Sequence, residues 1–108
     1  MKLYVGGAFQ GQEELARMEN PGAQIFPDFH EKIRAKILEG ADLQTFAQQV
    51  ISEYPDAVIV ANEVGAGVVP IEAEERAFRE GVGRVLCRIA AESEAVVRVV
   101  CGIGVRIK

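Results

Sequence analysis

A run near the start, Gly6-Gly7-Ala8-Phe9-Gln10-Gly11-Gln12-Glu13, fits the glycine frame of a phosphate-binding loop. That loop reads G-x-x-x-x-G-K-[ST], and its glycines fall here on Gly6 and Gly11. Backbone amides and the N-terminus of the following helix would cradle a phosphate. The lysine position holds Gln12, however, and the hydroxyl position holds Glu13. The cation that stabilises transferred charge is missing, and a carboxylate stands where a magnesium-binding hydroxyl belongs. Two readings stay open: a phosphate cradle without its transfer lysine, or a plain strand-to-helix turn.

A second segment, Asn62-Glu63-Val64-Gly65-Ala66-Gly67-Val68-Val69-Pro70, follows an apolar run. Ligands bind at the carboxyl ends of strands in open parallel sheets, so this position suits a ligand loop. Gly65 and Gly67 would let a ligand approach the backbone, beside Asn62. Glu63 is placed to hold a metal-bound water or to accept a proton. The alternative is a tight strand-to-helix connection with Glu63 in solvent.

These segments need elements to hold them. Lys2–Val5 is β-prone and ends at Gly6-Gly7; Ala57–Ala61 is apolar throughout, as for a strand buried on both faces; Ala95–Cys101 is a third such run. Four helical stretches lie between them. Gln12–Glu19 is closed by Asn20-Pro21-Gly22, and Phe29–Glu39 starts after Asp28, which has capping-box spacing to Glu31. Asp42 caps a third, with Leu43, Phe46, Ala47, Val50, Ile51 and Tyr54 on one stripe. The fourth runs from about Ile71 to Glu92, with Pro70 and an acidic first turn at its start. The alternation predicts an α/β fold: a parallel sheet of three main strands flanked by helices, with Val105–Lys108 as an extended tail. So narrow a sheet leaves edges to cover, which points to a homo-oligomer.

The remaining residues have plainer readings. Cys87 falls opposite Phe78 and Val82 on the fourth helix, off its core stripe and suited to a subunit contact. Cys101 reads as inert packing in a buried strand. No third or fourth ligand stands at metal-binding spacing from the cysteines, so no metal centre is expected. Arg76, Arg79, Arg84 and Arg88 form a solvated or inter-subunit face that pairs with glutamates. Phe26 and Phe29, around Pro27-Asp28, read as anchors into the core.

With 108 residues, nearly half of them apolar, residues 1–108 make one domain with a real core. A net charge of −4 leaves no surplus of cations for a nucleic-acid backbone, and no apolar run is long enough to span a bilayer. With only two cysteines and no secretory pattern before Gly6, the expected compartment is the cytoplasm, with both thiols reduced.

From Val60 to Lys108 the chain resembles the C-terminal third of the adenosylcobinamide kinase/adenosylcobinamide-phosphate guanylyltransferases. The residues that carry the resemblance are Asn62–Pro70, Phe78-Arg79, Gly83-Arg84 and Gly102-Ile103-Gly104-Val105-Arg106-Ile107-Lys108. Gly6-Gly7-Ala8 also matches the family's Gly-Gly-Ala-x-x-Gly-Lys-Ser. The resemblance implies a P-loop nucleotide-binding fold that uses GTP or ATP with magnesium, a corrinoid substrate and a trimer-like assembly. It also offers a phosphate role for Arg84, next to that residue's salt-bridge reading. Family members are longer, and this chain has no counterpart of their central acidic strand and the segment after it. Their guanylyl-accepting histidine lies in His-His-Lys-x-x-Arg, where this chain has His30-Glu31-Lys32-Ile33-Arg34. Aligning His30 with the first histidine leaves Glu31 at the second, so His30 is either the family's catalytic histidine or an ordinary helix residue.

The expectation is therefore a shortened cobinamide kinase/guanylyltransferase of cobalamin biosynthesis, weak or inactive because the loop Lys and Ser are replaced. The competing expectation is a non-enzymatic oligomeric or regulatory protein that binds a nucleotide or corrinoid without turnover.

Overall fold

The computed structural model describes residues 1–63 and 72–108. Its sheet is centred on β1 (Lys2–Gly6), with β3 (Val58–Asn62) on one side and β4 (Ala95–Val100) on the other, both parallel to it. Tyr4 lies level with Val60 and Val97. These are the three apolar runs of the sequence, side by side as a parallel sheet requires. Two strands widen it. β2 (Ile25–Phe26) pairs with β3 in parallel, and β5 (Ile103–Arg106) returns antiparallel along β4, giving the order β2-β3-β1-β4-β5.

Right-handed crossovers decide which face each helix covers. The connection through α1 (Gln12–Glu19) leads from β1 outward to β2. The connections through α2 (Phe29–Leu38), α3 (Leu43–Glu53) and α4 (Ala73–Glu92) run the opposite way across the sheet. Hence α1 lies on one face and the other three on the reverse. The larger core joins Leu3, Val5 and Ile59 to Phe29, Ile33, Val82, Val85 and Ile89. The smaller one joins Tyr4, Val58, Val60 and Val99 to Ala16 of α1.

Some local expectations hold and others do not. Asp42 caps α3, its Oδ1 accepting the Gln44 N–H at 3.0 Å. Asp28 makes no such bond: its backbone is left-handed, with φ of 51°. A capping side chain reaches back from an extended backbone, and the left-handed turn that swings the chain from β2 into α2 removes that geometry. The capping box at Asp28–Glu31 is therefore not formed. Cys101 is also not packed in a strand. β4 ends at Val100, and Cys101 and Gly102, with φ of 51° and 77°, make the tight turn into β5 that leaves the thiol exposed. Two successive positive φ angles match the twist of a two-residue hairpin. Phe29 is buried and stacks on Phe46, and Phe26 meets Tyr54 edge-on.

On α4, Cys87 is exposed and lies off the stripe of Val82, Val85 and Ile89. Arg84 pairs with Glu80, and Arg88 pairs with Glu92 and Gln48. Among the described residues no helix is long and apolar enough to cross a membrane.

Candidate functional site

Because β1 leads to a helix on one face and β3 to a helix on the other, the sheet has a switch point between their carboxyl ends. A crevice at such a point is where open α/β sheets bind ligands. Gly6 ends β1 there, and Gly7, Ala8, Phe9, Gln10 and Gly11 form the loop into α1. Asn62 ends β3, Glu63 follows it, and His30 lies in the first turn of α2. Gly65 and Gly67 lie outside the described residues.

Gln12 holds this edge together. It is buried at 5% exposure, and its Nε2 lies 2.9 Å from the Gly7 carbonyl and 3.0 Å from that of Gly6. The Asn62 Oδ1 is 3.1 Å away and the Ala61 carbonyl 3.5 Å. One amide group has two hydrogens to share among these oxygens, so it is fully engaged inside the loop. The Gly6 carbonyl also accepts the Glu63 N–H at 2.7 Å. Gly6 must be glycine: a Cβ there would lie 2.5 Å from the Val99 carbonyl oxygen. At the lysine position of the loop pattern the protein therefore carries a neutral side chain that turns inward.

What remains open to a ligand is the N-terminus of α1, where Gly11 provides no side-chain cap. Uncapped first-turn amides favour an anion. The cleft beside them, between Ala8, Gly11, Gln12 and Asn62, measures about 220 Å³. That is below the ~300–1,000 Å³ of typical ligand sites, so it suits a phosphate group better than a whole nucleotide. Its rim is acidic, with Glu13, Glu14 and Asp28. The Glu13 carboxylate is half-exposed and pairs with Arg17 at 3.0 Å. Phe9, with φ of 60°, projects fully into solvent. A larger cleft of about 470 Å³ lies at the opposite strand ends, between Lys2, Tyr4, Glu19 and Arg106, and holds none of the candidate catalytic or phosphate-binding residues.

His30 is brought to the same edge. It is 7% exposed, its Nδ1 accepts the Asn62 N–H at 3.0 Å, and its Nε2 stands 3.6 Å from a Glu31 carboxylate oxygen. Glu63 faces Arg98 of β4 at 3.5 Å, across the end of β1. Arg98 escaped the sequence reading, although a lone charge inside the apolar run Ala95–Val100 was a signal. The brace on the loop left no such signal. Gln10 accepts the Cys101 N–H through Oε1 and the Gly102 N–H through its carbonyl, both at 2.7 Å, so the β4–β5 turn is pinned to the loop. Among the described residues, no three His, Cys, Asp or Glu side chains are grouped to hold a metal ion.

A mostly parallel sheet, a glycine loop running from its central strand into a helix, and polar residues at a switch point define a P-loop-like α/β protein. The chain belongs to the cobinamide kinase / cobinamide phosphate guanyltransferase family, whose model matches residues 18–107. The bifunctional adenosylcobalamin biosynthesis protein CobU of Salmonella typhimurium is 53% identical over 51 residues, 47% of this chain and 28% of that protein. The protein of the same name from Escherichia coli K12 is 51% identical over 51 residues, again 47% of this chain and 28% of the relative. The matched stretch thus spans under a third of either relative. The glycine loop, Gly6–Glu13, precedes the residues that the family model covers.

Proposed function

We propose that this protein binds a nucleotide in cobalamin biosynthesis on the kinase/guanylyltransferase plan, with weak or no group transfer of its own. The observation that carries this reading is Gln12. Its amide is spent on the carbonyls of Gly6 and Gly7 and on Asn62, so the loop keeps its shape without offering a cation. Losing that cation lowers transfer more than binding, because its charge acts mainly on the transition state. The phosphates of GTP or ATP sit at the α1 N-terminus, over Gly7–Glu13. Magnesium arrives with the nucleotide as part of the substrate and offsets the acidic rim. Glu63, steadied by Arg98, holds a water of that ion or accepts a proton, and the Asn62, Gly65 and Gly67 segment admits the second ligand, a corrinoid.

Titration calorimetry with GTP, ATP and a cobinamide, each with and without magnesium, tests this. Magnesium-dependent nucleotide binding with no phosphorylated cobinamide in a parallel assay is the expected result. Rapid phosphorylation would overturn the inactivity, and no heat with either nucleotide would overturn the site.

A second reading, a non-enzymatic homo-oligomer, draws on the edge strand. Ile103 and Val105 of β5 are exposed, as are Val100 and Ile107 on either side of it, and an exposed apolar edge strand invites pairing with another chain. In this reading the fold is kept for a trimer-like assembly, which mass measurement by light scattering tests.

A further inference from the structure

We infer that His30 carries its proton on Nε2 and is a positioning residue of the loop, not a nucleophile that accepts a nucleotidyl group. This inference rests on the reading of the edge as a nucleotide site, and it assigns the part the histidine plays there.

The bond between Asn62 and His30 fixes the state of the ring. A backbone N–H can only donate, and it meets Nδ1 at 3.0 Å, so Nδ1 must present a lone pair. Turning the ring over would put a carbon against that amide and leave a buried donor without its partner. With Nδ1 unprotonated, the neutral ring has its hydrogen on Nε2, and Nε2 faces the Glu31 carboxylate at 3.6 Å, where a hydrogen is favoured over a lone pair. Neither nitrogen is then available for attack. Forming a nucleotidyl–histidine would need a nitrogen lone pair to bond the α-phosphorus while the bond to pyrophosphate breaks and pyrophosphate leaves. At Nδ1 that pair is held by Asn62; at Nε2 it is a bond to hydrogen. Moving the proton to Nδ1 would set it head-on against the Asn62 N–H.

The same contact gives the residue its task. His30 holds the end of β3 through the Asn62 amide, the Asn62 side chain accepts from Gln12, and Gln12 holds the Gly6 and Gly7 carbonyls. Helix α2 is thereby tied to the shape of the phosphate loop through a run of hydrogen bonds, without touching the phosphates.

His30 is the only histidine in the chain, so ¹⁵N-histidine labelling reports on it alone. The expected spectrum of the whole protein shows a protonated Nε2 and a bare Nδ1, and with asparagine ¹⁵N-labelled as well, a scalar coupling from Nδ1 to the Asn62 amide nitrogen. A protonated Nδ1 would overturn the inference. As a second measurement, GTP labelled at the α-phosphorus should leave no acid-labile label on the protein; label that disappears in His30→Gln would equally overturn it. His30→Phe, which has no acceptor, should weaken magnesium–GTP binding roughly fivefold, the loss expected for one hydrogen bond. His30→Asn, whose Oδ1 lies near the place of Nδ1, should recover most of that loss, and equal weakening by both would count against a positioning role. Absence of GTP binding by the unaltered protein would defeat the nucleotide site itself, while the ring spectrum would still decide the proton's place.

Discussion

The side-chain amides of Gln12 and Asn62 meet at 3.1 Å, joining the first turn of α1 to the last residue of β3. The oxygens around the Gln12 amide nitrogen would also suit an ammonium group, which has three hydrogens to give. Gln12→Lys with Glu13→Ser should therefore fold and should bind magnesium–GTP at least about tenfold more tightly, since a hydrogen bond to a charged group contributes about 1.5–3 kcal/mol. Calorimetry measures this directly. Unchanged affinity would reduce Gly6–Glu13 to a turn. Gln12→Ala, by contrast, strands buried carbonyls and should cost about 1–3 kcal/mol in denaturant unfolding.

Two glycines separate steric need from backbone need. At Gly6 a Cβ would press on a backbone oxygen of β4, which has no rotamer by which to yield. Gly6→Ala should destabilise by about 1–3 kcal/mol or more and disturb the loop. Gly22, with φ of 79° and nothing within 4 Å of an added Cβ, should cost only about 1–2 kcal/mol as alanine, with the loop unaffected. Unfolding midpoints and the amide spectra of Gly7 and Gln12 distinguish the two effects.

Tyr4 gives a prediction at high pH. Its hydroxyl donates to Glu19 at 2.8 Å and accepts from Asn20 at 3.0 Å. Burial pushes the phenol's pKa up, the hydrogen bond given to Glu19 adds to this, and the one accepted from Asn20 opposes it. The folded state thus holds the proton more tightly than the unfolded chain. This stabilising contribution is complete below the ordinary tyrosine value of about 10 and is lost as pH rises through the raised folded value. In a Tyr54→Phe background, phenolate absorbance reports Tyr4 alone and should appear late. Tyr4→Phe should cost about 1 kcal/mol near neutral pH and flatten the alkaline decline.

The edge strand gives a prediction about assembly. If β5 pairs with another copy, Val105→Lys places a charge in the middle of the apolar strip and should lower the mass seen by light scattering, with the unfolding midpoint nearly unchanged because Val105 is exposed. A mass equal to the monomer in both proteins would remove the oligomeric reading.

The chain's sequence was enough to place β1, β3 and β4, because apolar runs bounded by Gly, Pro and Asn carry their own burial signal. It also set the glycine frame, the stripe of α3 and the exclusion of Cys87 from the core, all of which depend on local spacing. β2 was not legible, since Ile25–Phe26 is too short to show a period. β5 was not, because all of its residues are exposed and only pairing with β4 makes it a strand. The same division runs through the site. That Gln12 replaces a lysine is written in the sequence, but its inward turn depends on Asn62, 50 residues away, and that of His30 on an amide 32 residues away. Whether a polar side chain serves a ligand or the fold depends on which donors and acceptors meet it after the sheet has formed, and no local pattern contains that information.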